Sequence, residues 1–517
     1  MSDLILFLVV AALGVALLSV LSVWSYGQFA RQLRVEPSQA LPVAGSSTPL
    51  DAVVEALSPP AGAGNGLLLL SDGLDAFVGR AISARSAGRS LDLLYYIWDD
   101  DLTGRLLTQE VVSAADRGVR VRLLLDDINA SGADPVYLAL DSHPNIELRL
   151  FNPTRARTPG LRRGLEMILR AFSATRRMHN KAWIADGRMA IVGGRNIGDE
   201  YFDADVEANF RDLDLVLLGP LVKQVEAVFD AFWNSASAIP IGALAKGRRA
   251  DISAMREKLS VAVEAPATRQ FFDRLRDHTS LRVFLQHGTI HWTAEARVVS
   301  DPPEKTLGNK RGNWLMSQLL PVLTSATRRI DITSPYFVPG NQGIQALRQW
   351  RQQGVTLRVL TNSLAATDVA VVHGGYAPAR IPLLQAGIAL YELRPDIFRR
   401  GFSLLGSSGA SLHTKAFTVD GEKGFIGSFN FDPRSIALNT EMGVLFRSPA
   451  LLSEMTALFE REIGPSFSYE LCLDDGSLRW RTQEEGKIAV YKSEPNAGIL
   501  RRAVAWFTGW LPIRSQL

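Results

Sequence analysis

A chain of 517 residues exceeds what one hydrophobic core serves, so two or more domains are required. With 47% hydrophobic and 21% charged residues it is neither a disordered chain nor a multi-span transporter, and a net charge of +3 is too balanced for a polyanion-coating protein. Cys472 is the single cysteine, which excludes an intramolecular disulfide and any cysteine-based zinc or iron–sulfur centre.

From Leu4 to Ala30 there is no charged residue, a run long enough to span a bilayer as a helix. Asp3 precedes it with no Lys or Arg, which argues against a cleaved signal peptide, and no cysteine follows to accept a lipid. Residues 1–34 therefore read as an uncleaved single-pass anchor. Arg31 and Arg34 behind the run favour a cytoplasmic body, with only two charges deciding the side. Residues 35–66, rich in Pro, Gly, Ala and Ser, read as a linker.

Beyond the linker one pattern occurs twice. Ser90–Ile97 is strand-like, Arg105–Asp116 is helical, and Gly118–Leu125 is a second strand; Arg329–Thr333, Gln342–Gln353 and Gly354–Leu360 repeat the order. Gly118 and Gly354 are 236 positions apart, and His179 and His413 are 234 apart. A near-constant offset indicates a duplicated domain. Strand–helix–strand crossovers of this length imply parallel strands in an α/β layer. The expected organisation is a first lobe at 67–240, a connecting region at 241–317, a second lobe at 318–470 and a C-terminal segment at 471–517.

Two segments combine basic and apolar residues. Between Thr154 and Arg177 lie seven arginines, Arg155, Arg157, Arg162, Arg163, Arg170, Arg176 and Arg177, with Glu166 the only acid. Leu161, Leu165, Ile168, Leu169 and Phe172 interleave at near-helical spacing, so the stretch reads as a surface for anionic headgroups. Past Pro495 the chain has Arg501, Arg502 and Arg514, no acid, and Leu500, Val504, Trp506, Phe507, Trp510 and Leu511, which suits a membrane interface.

Each lobe carries one segment rich in chemistry. The first is His179-Asn-Lys181 with Asp186, then Gly193-Gly194-Arg-Asn196; the second is His413-Thr-Lys415 with Asp420, then Gly427-Ser428-Phe-Asn430. Histidine to asparagine is 17 positions in both. On a strand, residues i and i+2 share a face, so an imidazole and an ammonium stand over one surface. The ammonium supplies positive charge for an anion, and the imidazole attacks or moves a proton. Gly194 and Ser428 let backbone approach a ligand, and the amides of Asn196 and Asn430 donate to its oxygens. Two facing lobes would then surround one phosphate-sized anion. Imidazoles at work need orienting carboxylates. Aligning the repeat ends on Gly219-Pro220 and Ser448-Pro449 selects Asp212 and Glu441, with Asp214 competing in the first lobe. Asp186 and Asp420 belong to the motif and join the candidate catalytic set, although each Asp-Gly is also what a turn requires.

Two His-x-Lys-x4-Asp segments in a duplicated α/β chain resemble the phospholipase D superfamily. Gly193–Phe202, Tyr96–Gly104, the N-terminal apolar run and the closing Leu511–Leu517 resemble its bacterial cardiolipin synthase branch, C-type. The resemblance implies two phospholipase D-like lobes facing each other and phosphatidyl transfer through a phosphohistidine without metal or other cofactor. It also implies that the motif histidines pair with the later acids, in keeping with Asp212 and Glu441. Expected partners are the membrane and anionic phospholipids, phosphatidylglycerol foremost with phosphatidylethanolamine as an alternative donor, and no nucleic acid. The expected location is the bacterial inner membrane. Donor identity, transferase against hydrolase, and any protein activator are left open by the residues. His179 is assigned the attack and His413 the acid–base role.

Overall fold

Duplication is visible in the order of the strands. The computed structural model describes residues 2–33, 36–43, 48–57, 59, 62, 64–130, 132–158, 160–205, 209–245, 250–277, 280–308, 314–395 and 411–510. The first lobe's sheet runs, in spatial order, His291–Thr293, Asn65–Leu70, Asp214–Leu218, Met189–Gly193, Ala182–Ala185, Ser90–Tyr95, Arg120–Asp126, Ile146–Phe151 and Ala238–Pro240. The second runs Ala296–Ser300, Met442–Phe446, Lys423–Gly427, Ala416–Val419, Arg329–Thr333, Thr356–Asn362, Ala389–Leu393, Ser468–Asp474, Ser477–Glu484 and Lys487–Tyr491. In each, three consecutive strands are parallel and the rest antiparallel, so the sheets are mixed. Equivalent buried ion pairs mark the repeat: Asp92 takes Arg122 at 2.7 and 2.8 Å, and Asp331 takes Arg358 at 2.7 and 2.9 Å.

The parallel strands Ser90–Tyr95 and Arg120–Asp126 are buried along almost their whole length, as strands covered on both faces must be, and their charged residues Asp92 and Arg122 are buried as a pair. One core cluster contains residues of both lobes: Leu215, Leu217 and Phe229 pack with Ile426, Val444 and Leu452. Main chain also crosses the boundary. Ser411–Leu412 pairs in parallel with Phe210–Arg211, and Met178 bridges Thr440. Both crossings lie beside the motif histidines, so lobe docking and site assembly are one event.

The sheets take in residues on both sides of the expected boundaries. His291–Thr293 and Ala296–Ser300, expected in a connecting region, join one sheet each, while three strands between 468 and 491 extend the second. The linker is also more structured than its composition suggests. Trp233 Nε1 donates to Ser38 Oγ at 2.8 Å, the Ala40 N–H donates to Asp230 at 2.9 Å, and Pro49–Glu55 is a helix with a Thr48–Asp51 capping box. Asp51 then pairs with Arg89 and Arg188.

Ser2–Gln32 is one helix of 31 residues. Among the described residues, no helix is long and apolar enough to cross a membrane, and many side chains of Ser2–Gln32 lie outside them. The closing residues 511–517, with Leu511 and Arg514, also lie outside, as does the Phe172 side chain.

Candidate active site

His179 and His413 each sit on extended chain just before a strand, held by a main-chain bond to the opposite lobe. The His179 N–H donates to Thr440 O at 2.9 Å, and the His413 N–H donates to Arg211 O at 2.8 Å. The orienting carboxylates come from the opposite lobe as well. His179 Nδ1–H donates to Glu441 Oε2 at 2.8 Å, and His413 Nδ1–H donates to Asp212 Oδ2 at 2.6 Å. Counting each acid from the histidine of its own repeat gives the right residues but hides this exchange. With Nδ1 committed to a carboxylate, Nε2 is the nitrogen left for chemistry. Lys181 Nζ donates to His179 O at 2.7 Å and Lys415 Nζ to His413 O at 2.5 Å, which fixes each ammonium beside its imidazole.

All six groups are buried. Burial, then the charges of Lys181 and Lys415, holds both imidazoles well below the ordinary histidine range. Burial also lowers the lysines, Lys181 strongly and Lys415 to about 8, and raises Asp212 and Glu441, the latter to about 7. A bound anion would favour the protonated forms of these imidazoles and amines together.

The residues around this centre have more specific duties than the sequence suggested. A Cβ on Gly194 would stand 2.3 Å from Asp212 Oδ1, so the glycine makes room for the carboxylate rather than for a ligand. Ser428 occupies the equivalent place and donates to Glu441 Oε2 at 2.5 Å, with Ser435 donating to Oε1 at 2.8 Å. Asn196 Nδ2 donates to Tyr201 at 2.8 Å, and its Oδ1 accepts from the Ile97 N–H at 3.3 Å. Asn430 differs: its Oδ1 is buried with no hydrogen-bond partner among the described residues.

Asp214 forms buried ion pairs with Arg80 at 2.9 Å and Arg195 at 3.5 Å, leaving Asp212 to His413. Asp186 and Asp420, included in the candidate catalytic set, are turn residues with φ of 52° and 57°. Asp186 accepts from the N–H groups of Gly88, Arg89 and Ser90, and Asp420 from those of Thr327, Arg328 and Arg329. Their carboxylates are consumed by backbone at the far end of the motif strand, which is a structural position.

Sequence spacing missed the aromatic walls. Tyr96 stands edge-on to His179 with ring centroids 5.0 Å apart; Phe210 stacks on His413 at 5.0 Å and Tyr201 meets it edge-on at 5.2 Å. Nothing in their spacing from the histidines gave them away, although Tyr96 and Tyr201 fall inside the segments that carried the family resemblance. Seven clustered arginines likewise divide on folding. Arg157, Arg170 and Arg177 are buried on Asp127 and Asp134, on Glu166 and on Asp126, while Arg155 and Arg162 remain exposed. A loop with three buried aspartates needs internal cations. Asp99, Asp101 and Glu200 bring carboxylate oxygens within 4.8 Å of one another, an acidic group that the spacing did not show. Asp101 is already used there, capping the following helix through the Gly104 N–H at 2.9 Å and accepting from the Asp199 N–H at 2.6 Å.

A family model described as cardiolipin synthase, PLD-like domain, matches residues 82–233 and 319–463. The chain belongs to this family. Cardiolipin synthase C of Escherichia coli (strain K12) is 42% identical over 466 residues, covering 87% of this chain and 95% of the relative. Cardiolipin synthase A of Pseudomonas entomophila (strain L48) is 25% identical over 430 residues, covering 83% and 74%. Among solved structures, a phosphatidylserine synthase of Haemophilus influenzae Rd KW20 matches with a TM-score of 0.56 at 12% identity over 89% of this chain and 96% of its own, a likeness of fold. The two phospholipase D-like lobes expected from the duplicated motifs are thus present.

Proposed function

We propose that this enzyme is a phosphatidyltransferase of the cardiolipin synthase kind, joining a phosphatidyl group to the glycerol headgroup of phosphatidylglycerol. The observation that carries this reading is the pair of cross-lobe carboxylate–histidine dyads with two buried lysines around one centre. The donor is a phospholipid diester, phosphatidylglycerol or phosphatidylethanolamine. Neutral His179 attacks phosphorus through Nε2 while the P–O bond to the departing alcohol breaks and His413 gives that oxygen a proton. His413 then removes the proton of the incoming hydroxyl, the new O–P bond forms, and the N–P bond breaks. Both imidazoles are thereby restored. Lys181 and Lys415 hold the phosphoryl oxygens through both steps. Asp212 and Glu441 fix the ring orientation and balance the imidazolium.

Ser2–Gln32 serves in this reading as the single-pass anchor in the bacterial inner membrane, with the lobes on the cytoplasmic side. Leu161, Leu165 and Ile168 are exposed beside Arg155 and Arg162, which supports an anionic lipid surface near the first motif. Thin-layer chromatography of lipids from a cardiolipin-deficient bacterium expressing the chain should show cardiolipin, and His179→Ala should remove it. Phosphatidic acid as the sole new product would identify a hydrolase instead. Turnover should survive EDTA; loss restored by a divalent ion would give Asp99, Asp101 and Glu200 a catalytic part and reject the metal-free mechanism.

A further inference from the structure

The helix Ile499–Trp510 packs the wrong way round for a helix of a water-soluble surface. Its buried residues are Ala505 and Thr508. They lie so close to the helix Ala370–Tyr376 that a Cβ on Gly374 would stand 2.0 Å from Thr508 Oγ1 and 2.6 Å from Ala505 O. The large side chains point outward: Trp506 is 68% exposed, Phe507 59% and Trp510 77%. Ile499, Ala503, Trp506 and Trp510 follow each other at helical spacing and form one exposed stripe, flanked by Leu500 and Phe507. An amphipathic helix ordinarily turns its apolar stripe to the core.

Charge selects the occupant of this face. Residues 495–510 contain no acid, while Arg501 and Arg502 stand in the helix's first turn. Arg502 donates to Glu494 O at 2.6 Å and Ala497 O at 3.0 Å, and Arg501 donates to Thr367 O, which keeps both cations against the start of the helix. Tryptophans beside arginines on an outward stripe match the headgroup layer of an anionic bilayer, where indole has apolar surroundings and a wet edge. The helix is also tied to the centre. Thr367 precedes Asp368, which accepts from Tyr336 at 2.7 Å and whose charge is among those acting on Lys415 and Tyr201.

We propose that Ile499–Trp510 is an interfacial helix that lies in the headgroup layer of an anionic bilayer through Trp506, Phe507 and Trp510, setting the second lobe's half of the site against its lipid substrate. This rests on the reading of the chain as a lipid phosphatidyltransferase and adds a membrane contact on the second lobe, whereas the N-terminal helix packs on the first.

The test uses the full chain reconstituted in vesicles of phosphatidylglycerol containing dibrominated phosphatidylcholine. Tryptophan emission of the unaltered chain should be quenched more than that of Trp506→Phe/Trp510→Phe; equal quenching would overturn the proposal. If the difference appears only after residues 511–517 are removed, the chain's own tail covers the face. If protection of 499–510 from hydrogen exchange grows with protein concentration instead of lipid, a second copy covers it. Either result overturns the proposal. In parallel, Trp506→Ser/Phe507→Ser/Trp510→Ser should lose about tenfold or more in turnover of bilayer phosphatidylglycerol, from the apolar area no longer buried in lipid, and change by less than about twofold on a monomeric short-chain substrate. Equal loss on both substrates, in a variant with an unchanged melting curve, would reject it. An unaltered chain inactive on either substrate would fail the transferase reading, and the quenching comparison would still decide this one.

Discussion

The two lobes repeat the same strand order and the same His-x-Lys placement, yet they treat their carboxylates differently. Glu441, from the second lobe, receives hydroxyl donors from Ser428 and Ser435 and orients the first lobe's His179. Asp212, from the first lobe, receives the Leu213 N–H at 2.8 Å, has Gly194 where the other has Ser428, and orients His413. The ring environments differ too, with Tyr96 edge-on to His179 and an aromatic pair, Phe210 and Tyr201, around His413. Duplication supplies two half-sites of one plan, and the surroundings of the two carboxylates are where they diverge. Because each histidine's acid comes from the opposite lobe, neither half is complete alone.

Removing an imidazole should have the largest effect and exposes the division of labour most directly. His179→Ala leaves no nucleophile and should reduce turnover to background. His413→Ala keeps the nucleophile but has no base for the second step, so a phosphatidyl adduct should accumulate on His179. Acid-free quenching and mass spectrometry read the adduct. An adduct on His413 in His179→Ala enzyme would reverse the roles, and equal adducts in both variants would erase the functional difference between the lobes.

The lysines come next. Each holds the same phosphate, so Lys181→Ala and Lys415→Ala should each lower kcat/KM by about 10²–10³, the usual loss for one preorganised donor. Half of normal activity in either variant would mean two independent centres.

One shared site between two lobes was expected from the sequence; the exchange of carboxylates between them was not. The duplicated strand pattern, His179, Lys181, His413, Lys415, Asp212 and Glu441 were legible because short-range spacing encodes strand faces and repeat offsets. Which acid meets which histidine depends on how two finished lobes dock, and no local pattern records that. Gly194 illustrates the same limit: its smallness was legible, while the neighbour needing the room, Asp212, stands 18 positions away between two further strands. The arginine-rich stretch was legible only in part, with Arg155 and Arg162 left exposed and others turned inward. Arg157 and Arg177 face buried aspartates at 126, 127 and 134 that sequence distance separates from them.

The serines on Glu441 allow a smaller and more selective test. Their hydroxyls favour its ionised form, and burial already raises it to about 7. Ser435→Ala removes one such donor, so Glu441 should ionise at still higher pH. The acidic limb of the rate profile should then move upward, with a severalfold loss near pH 6 and little change near pH 9. A Gly194→Ser variant offers the converse, since its Cβ would stand 2.3 Å from Asp212 Oδ1. It should disturb the His413 dyad rather than improve it. An unmoved acidic limb in Ser435→Ala would remove Glu441 from the titration that governs rate.

The smallest effect on turnover should come from Asp186 and Asp420, where the lobes are most alike. Both cap a turn through backbone N–H groups, and neither carboxylate contacts the histidine–lysine centre through any bond described above. Asp186→Ala and Asp420→Ala should keep kcat within about twofold per folded enzyme, far from the loss that removing a transition-state donor brings. Stability should separate them. Asp186 is fully buried, so its removal leaves three N–H groups without an acceptor and should cost about 2–4 kcal/mol, whereas solvent can replace much of what Asp420 supplies and about 1 kcal/mol is expected there. The bonds to Asp420 hold its carboxyl below its ordinary value of 3.8 in the folded protein, against the opposing pull of partial burial. A group depressed on folding contributes stability that is present above its unfolded value and disappears as pH falls through its folded one. The difference in melting temperature between the unaltered chain and Asp420→Ala should therefore be constant above about pH 5 and shrink below 3.8. Loss of turnover by a hundredfold in a stably folded Asp186→Ala enzyme would return these residues to the catalytic set.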